Sequence, residues 1–127
     1  MYNKITINNY INGDPLYENN LDEVLKLVKE IRISFPEKTI WLYTGFCWND
    51  IMCSFAGLQA NCVVLDKKDI EAWEKRKKII SNVDVLVDGE YIDEQKDLTL
   101  KFRGSKNQRV INAPESLKQG KVVLYCD

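Results

Sequence analysis

The sequence predicts an α/β protein in which helices flank a partly parallel sheet. Short apolar segments rich in β-branched and aromatic residues alternate with longer segments whose apolar residues recur every three or four positions. The early strand candidates are separated by a helix candidate, the order that gives right-handed crossovers between parallel strands. Because 127 residues suffice for one core, we expect a single domain over residues 1–127.

The first part of the chain contains the clearest helix, between two strand candidates. The segment "KITI", Lys4–Ile7, has the composition of a strand. Leu21–Ile33 places apolar and charged residues on opposite faces at helical spacing, and Asn20 is a suitable cap. The segment "TIWLY", Thr39–Tyr43, is rich in β-branched and aromatic residues and predicts the next strand.

The rest of the chain offers another helix and further strands. Asp66–Ser81 has the pattern of a charged helix, and the apolar run "VDVLVDG", Val83–Gly89, that of a strand closed by a glycine turn. Apolar patterning predicts four further elements: a short helix over Cys47–Leu58, a strand or buried turn over Asn61–Asp66, and strands over Leu98–Phe102 and Lys121–Cys126.

Composition and charge narrow the class of protein. Hydrophobic residues make up 45% of the chain and charged residues 29%, a balance typical of globular proteins and not of disordered ones. Eighteen basic and nineteen acidic side chains leave a net charge of -1, which disfavours nucleic acid as a partner. The apolar runs are strand-sized and the start does not resemble a signal peptide, so we expect no membrane association and a cytoplasmic location.

Residues that commonly bind metals are few. Histidine is absent, which removes the commonest metal ligand and the usual proton carrier at neutral pH. Cys47, Cys53, Cys62 and Cys126 lack the close spacing of zinc-binding pairs, so we expect reduced, mostly buried thiols and no metal site. A small thiol-dependent metal protein is the alternative, which stoichiometric zinc or iron after anaerobic purification would support.

Two polar stretches are candidate binding sites. The stretch "RGSKNQR", Arg103–Arg109, could hold a carboxylate, a phosphate or an acidic loop of a partner, and the alternative is a solvated loop. The stretch "YINGDPL", Tyr10–Leu16, follows a strand candidate, as ligand-binding turns of α/β proteins do, although its single glycine favours a plain turn. Asp84 and Asp88 share a strand face and either cap turns or do acid–base chemistry.

Five blocks of sequence together resemble a known enzyme family. In chain order they read "GDPL", "IWLYTGF", "VDVLVDGEYI", "EQKDLTLKFRGSKNQRVI" and "SLKQGKVVLYCD". They resemble the anaerobic ribonucleotide reductase activating proteins over most of residues 12–127, with the weakest agreement from about Cys53 to Glu74. This resemblance implies a radical SAM enzyme: an open α/β barrel that binds a [4Fe–4S] cluster and S-adenosylmethionine and generates a glycyl radical on the large reductase subunit.

The cluster loop of that family has no counterpart in this sequence. The family holds its cluster with three cysteines in a C-x3-C-x2-C loop that precedes the block matching "GDPL". Cys47, Cys53 and Cys62 follow "GDPL" and are spaced differently. We therefore expect an incomplete radical-SAM-like open barrel with no cofactor and no catalytic residue.

The same resemblance bears on the turn at residues 12–14. In the family a Gly-Gly pair precedes the acidic residue, and the exposed backbone there contacts the amino group of S-adenosylmethionine. Here Asn12 replaces the first glycine, whereas Gly13 and Asp14 match. The side chain of Asn12 would crowd a close approach, so we expect Gly13 and Asp14 to be a remnant turn that has lost its ligand.

Two functional hypotheses follow. In the first, the chain is a non-catalytic truncated homologue of the activase that acts through protein–protein interaction, for example as an inhibitor encoded by a phage or other mobile element. Its partner would be the reductase subunit, a full-length activase or a recruited target. In the alternative, the chain is the C-terminal part of a split or incomplete activase, and another polypeptide supplies the cluster loop.

The expected interaction surfaces are a polar loop and a sheet edge. Because the family's first strand has no counterpart, an exposed edge should permit self-association or capture of a partner. A new function would most easily reside in the divergent middle of the chain, residues 53–78. The residues expected to contact a partner are polar or aromatic: Tyr43, Trp48, Arg103, Lys106, Asn107, Gln108 and Arg109.

Overall fold

The fold is an open five-stranded sheet. It is seen in a computed structural model that describes residues 3–8, 13–52 and 67–126. The strands are β1 (Lys4–Ile7), β2 (Thr39–Tyr43), β3 (Val85–Asp88), β4 (Arg109–Asn112) and β5 (Leu124–Cys126). They lie in chain order across the sheet, with β1, β2 and β3 parallel and the last two pairings antiparallel. The predicted α/β class with a partly parallel sheet is confirmed.

Helices connect the strands and build the main core. The described helices are α1 (Leu21–Ser34), α2 (Trp48–Met52), α3 (Lys67–Ile80) and α4 (Ala113–Gln119), with short 3-10 turns at Glu18–Asn20 and Asp93–Gln95. Buried residues of α1 and α3 pack in one cluster with sheet residues such as Leu42 and Leu86. The apolar periodicity that predicted α1 and α3 therefore corresponds to their buried faces.

The opposite face of the sheet has a smaller cluster of its own. Successive side chains of a strand point to opposite faces, so Trp41 lies on the other side of the sheet from Leu42. Trp41 packs there with Val85, Val87 and Val110, all buried, and no residue of a described helix belongs to this cluster. We call this side of the sheet the outer face.

Asp84 ties three elements together just before β3. Its Oδ2 accepts hydrogen bonds from the backbone N–H of Ile40 at 2.7 Å and from Nη2 of Arg32 at 2.8 Å. Arg32 lies on α1, and its Nε also donates to the carbonyl of Asn82 at 2.8 Å. Asp84 is therefore a structural anchor of the sheet.

The prediction of a strand at Leu98–Phe102 is wrong, because these residues form turns and bends. Asp97 Oδ1 accepts hydrogen bonds from the backbone N–H and the hydroxyl of Thr99, at 2.9 and 2.6 Å, which closes a turn. Phe102 has a φ of 64°, in the left-handed region that strands do not use. Side-chain hydrogen bonding by Asp97 therefore outweighs the alternating apolar pattern of this segment.

Strand β4 and helix α4 were not predicted from the sequence. Asn112 caps α4, because its side chain accepts a hydrogen bond from the N–H of Glu115 at 3.1 Å. Pro114 lies in the first turn, and Gly120 ends the helix with a φ of 70°. An asparagine followed by proline and then glutamate is a recognisable helix start, so this signal was present in the sequence.

Other expected elements fall partly outside the described residues. α2 occupies part of the helix expected at Cys47–Leu58, whereas its remainder and the strand expected at Asn61–Asp66 lie in the undescribed segment. Within the described residues, β1 pairs only with β2. None of the helices in the described ranges is long and apolar enough to cross a membrane.

Removing the Asp84 carboxylate should destabilise the fold. Asp84→Ala leaves the Ile40 N–H and the Arg32 guanidinium without this acceptor, so we expect a loss of about 1–3 kcal/mol in the free energy of unfolding. Chemical denaturation measures this loss. Glu30→Ala removes an exposed carboxylate from the same helix as Arg32 and serves as control, with an expected change within about 0.5 kcal/mol. Equal effects of the two substitutions would contradict the structural role of Asp84.

Candidate functional site

A cleft of about 360 Å³ lies where the three parallel strands end. Ligands of open α/β sheets bind at the carboxyl ends of parallel strands, because loops from several strands converge there. Residues after all three strands line the cleft, including Asn8, Gly13, Asp14, Thr44, Gly45 and Glu90. This position makes the cleft the candidate small-molecule site.

The carboxylate of Asp14 fixes the wall of the cleft. Its Oδ1 accepts hydrogen bonds from the N–H of Leu16 at 2.9 Å and the hydroxyl of Thr44 at 2.8 Å. Its Oδ2 accepts one from the N–H of Gly45 at 2.6 Å. Both carboxylate oxygens thus join the turn after β1 to the end of β2, and Asp14 acts through the backbone it positions.

A side chain at Gly13 would strain the turn. Its φ is 102°, a conformation that L side chains rarely adopt. A Cβ atom there would lie 2.8 Å from Cε2 of Tyr17, closer than packed atoms allow. The turn predicted from "NGDPL" is therefore present at Gly13 and Asp14, whereas Asn12 lies outside the described residues.

The cleft is acidic and lined with phenols. Asp14 and Glu90 contribute carboxylates, and no lysine or arginine is among the described residues that line it. Burial raises the pKa of Tyr43, and desolvation, followed by a hydrogen bond to Asp93, raises the pKa of Tyr91, so both phenols are neutral at pH 7. Neutral phenol rings beside carboxylates suit a small organic cation.

The predicted polar loop, Arg103–Arg109, is held together largely by its own hydrogen bonds. Gln108 Oε1 accepts from the N–H groups of Gly104 and Ser105, at 2.9 and 3.1 Å, and its Nε2 donates to the carbonyl of Gly89 at 3.0 Å. Asn107 Nδ2 donates to the carbonyl of Glu90 at 2.7 Å. Asn107 and Gln108 therefore fasten this loop to the turn after β3.

Arg109 is committed to a buried aspartate. Its Nη2 and Nε donate to the two carboxylate oxygens of Asp88 at 2.6 and 3.1 Å, and the hydrogen bond to Asp88 raises the pKa of Arg109. Asp88 is 1% exposed and also accepts the N–H of Trp48 at 2.8 Å. Asp88 thus caps the start of α2. Of the two roles that the sequence left open for Asp88, turn capping and acid–base chemistry, this contact matches the first.

The structure separates the residues expected to contact a partner. Trp48 is a correction: it is 4% exposed and packs in the main core, because α2 turns its apolar side inward, so it is not a surface anchor. Tyr43 is half-buried, and its hydroxyl donates to the carbonyl of Phe102 at 2.8 Å. Arg103 donates through Nη1 to the carbonyl of Gln108. Lys106 is the exposed cation of the set.

The described cysteines are not arranged as a metal site. Cys47 and Cys126 are free and half-buried. Cys53 and Cys62 lie outside the described residues, so the expectation that most of the four thiols are buried stays a prediction. Cys47 Sγ accepts a hydrogen bond from Nη2 of Arg109 at 3.5 Å. Within the described ranges, no three cysteine, aspartate or glutamate side chains are grouped to hold a metal ion. Cys47 and Cys126, the two described cysteines, do not by themselves supply the thiolate ligands of an iron–sulfur cluster.

Comparison with known proteins gives the family. A family model described as a 4Fe-4S single cluster domain matches residues 3–111. The chain belongs to this family. The sequence is also related to curated proteins named anaerobic ribonucleoside-triphosphate reductase-activating protein, which confirms the resemblance drawn from the sequence blocks. No solved structure matches the chain at a significant level.

The curated relatives are about twice as long as this chain. The protein from Vibrio cholerae is 35% identical over 96 residues, which cover 76% of this chain and 48% of the relative. The protein from Enterobacteria phage T4 is 36% identical over 100 residues, 77% of this chain and 47% of the relative. The protein from Escherichia coli is 32% identical over 98 residues, which cover 77% of this chain and 50% of the relative. The chain thus spans about half the length of the relatives it matches.

Changing Asp14 to asparagine should destabilise the protein, although the shape of the side chain is kept. Three donors meet the two oxygens of Asp14, so an amide NH2 in place of either oxygen faces a donor. We expect Asp14→Asn to lower the free energy of unfolding by about 1–3 kcal/mol, measured by chemical denaturation. Glu90→Gln makes the same charge change at an exposed residue of the cleft and should stay within about 0.5 kcal/mol. An unchanged stability of Asp14→Asn would refute the positioning role.

Proposed function

We propose that this chain binds the anaerobic ribonucleotide reductase as a non-catalytic relative of the activating proteins. The name of the curated relatives says that they activate that reductase. The observation that carries the proposal is the open sheet with its strand-end turn at Gly13 and Asp14, in a chain whose four cysteines lack the C-x3-C-x2-C spacing that the family resemblance implies. Radical chemistry requires a cluster that delivers an electron, and no protein side chain replaces it.

A non-catalytic relative would act by occupying a surface that a full-length activase needs. In the cytoplasm it would compete for the reductase and reduce the number of activated subunits. A phage or other mobile element would gain from such an inhibitor by controlling deoxynucleotide supply. The relative from Enterobacteria phage T4 is named as an activating protein, so it supports only the point that a phage can carry a member of this family.

A second candidate function is favoured by the cleft. Its acidic lining and the fixed turn at Gly13 and Asp14 suit the positively charged S-adenosylmethionine, which the family resemblance implies. The backbone at Gly13 and the carboxylate of Glu90 would then bind the ligand, while Asp14 holds the turn. S-adenosylmethionine bound next to a reduced cluster supplies the radical. In this case the chain is one part of a split activase, and another polypeptide contributes the cluster loop.

Anaerobic reconstitution tests the non-catalytic proposal, and titration with S-adenosylmethionine separates the two candidates. Neither candidate expects a complete cluster on this chain alone, and only the split activase expects the chain to bind S-adenosylmethionine. After treatment of the purified chain with iron and sulfide, we expect far fewer than the roughly four irons per chain of a [4Fe–4S] cluster, because the described residues lack its ligand set. Metal analysis gives the iron content, and calorimetry with S-adenosylmethionine should give no binding heat. A full-length activating protein reconstituted in parallel is the positive control. About four irons together with ligand binding would overturn the non-catalytic proposal.

A competition experiment tests whether the chain inhibits activation of the reductase. With the reductase and the full-length activating protein from the cell in which this chain occurs, excess chain should lower the yield of glycyl radical, because both proteins compete for the reductase. Electron paramagnetic resonance measures that yield. Increasing the full-length protein at a fixed amount of chain should restore it. A radical yield that rises when the chain is added would support the split activase.

A further inference from the structure

The outer face of the sheet carries a surface that the candidate cleft does not include. We propose that this surface docks an acidic segment of the reductase that also contributes an apolar side chain. The surface, called here the basic–aromatic surface, consists of Lys4, Phe102 and Tyr125 around the buried Trp41, together with Lys101, the exposed chain neighbour of Phe102. The inference rests on the proposed function and states the chemistry of the partner's contact.

Three aromatic rings form the apolar part of this surface. Trp41 is 4% exposed and is the floor, with the ring centroids of Phe102 and Tyr125 at 4.8 and 5.0 Å from its own. Phe102 remains 44% exposed and Tyr125 51% exposed. Exposed aromatic rings on an ordered floor are typical of interface anchors, because they bury a large area at little entropic cost.

Phe102 is held in place at the expense of backbone strain. Its φ of 64° is costly for a bulky residue, on the order of 1 kcal/mol or more. Two contacts maintain it: the Tyr43 hydroxyl donates to its carbonyl at 2.8 Å, and its ring packs on Trp41. Neither contact covers the exposed part of the ring. Strain of this kind concentrates at binding sites, where it preorganises a contact.

The charge around these rings is positive, although the net charge of the chain is -1. Lys4 Nζ lies 3.9 Å from the ring centroid of Trp41 and 4.7 Å from that of Phe102. The segment that carries Phe102, residues 96–109, contains one acidic residue, Asp97, and five basic residues, Lys96, Lys101, Arg103, Lys106 and Arg109. Hydrogen bonds from Thr99 lower the pKa of Asp97.

Lysines of this segment remain available for a partner. Arg109 is paired with Asp88, whereas Lys101 and Lys106 are exposed and belong to no ion pair among the described residues. Carboxylates of a partner are the complementary charge.

A protein segment suits this surface better than a nucleic acid. Phosphate backbones are held by many cations at once, and the acidic balance of the whole chain opposes that. Leu98, in the same loop, is 88% exposed and offers another apolar contact that phosphates do not use. An acidic segment with an aromatic or aliphatic side chain matches both the cations and the rings.

Paired charge reversals test the docking surface. Lys4→Glu with Lys101→Glu reverses two charges on the basic–aromatic surface. Lys26→Glu with Lys29→Glu makes the same change on exposed positions of α1, which packs on the other face of the sheet. Calorimetry with the purified reductase should show about tenfold or greater weakening for the first variant and less than about twofold for the second. Circular dichroism checks that both variants are folded.

The binding results distinguish failure of the docking surface from failure of the proposed function. If the wild-type chain binds the reductase and both variants bind equally well, the docking surface is wrong while the proposed function stands. If the wild-type chain does not bind, the proposed function fails and this inference fails with it. If a single-stranded oligonucleotide binds more tightly than the reductase and the first variant abolishes that binding, the surface is a nucleic-acid site.

Discussion

The hydrogen bonds to the carboxylate of Asp14 hold the strand-end cleft together. They join the turn at Gly13–Leu16 to Thr44 and Gly45, just after the end of β2. Asp84 does the same before β3, and Asp88 does it between β3 and α2. Carboxylates accept several N–H donors at once, which makes them effective at the ends of strands. Asp84 and Asp88, for which the sequence left turn capping and acid–base chemistry open, therefore help to assemble the fold.

The sheet divides the molecule into two sides with different roles. Helices α1 and α3 cover one side and bury the main core. The outer face is covered by the rings of Phe102 and Tyr125, which remain half exposed. The polar loop at Arg103–Arg109 closes on itself and on the turn after β3, so it supports the cleft. Partner binding and ligand binding can thus use separate surfaces of one small sheet.

Much of the fold was predictable, because burial imposes periodicity on the sequence. Leu21, Val24 and Val28 recur on one face of α1, and the apolar segments of β2 and β3 match buried strands. Leu98–Phe102 shows the limit, since an alternating pattern does not reveal the turn that Asp97 closes. The role of Gln108 was also beyond prediction, because its partners are backbone groups set by the tertiary structure. Trp48 was expected to contact a partner because it is aromatic, but the orientation of α2 buries its side chain in the core.

The most direct test of the account is hydrogen–deuterium exchange of the chain, free and with the reductase. The account predicts that the reductase slows exchange mainly in residues 96–106 and in β5, next to the exposed rings and lysines, while α1 and α3 keep their rates. Slowed exchange confined to the helical side, or no change at a reductase concentration that saturates binding, would contradict it. Protection confined to residues 13–17 and 44–46 would instead locate the contact at the cleft.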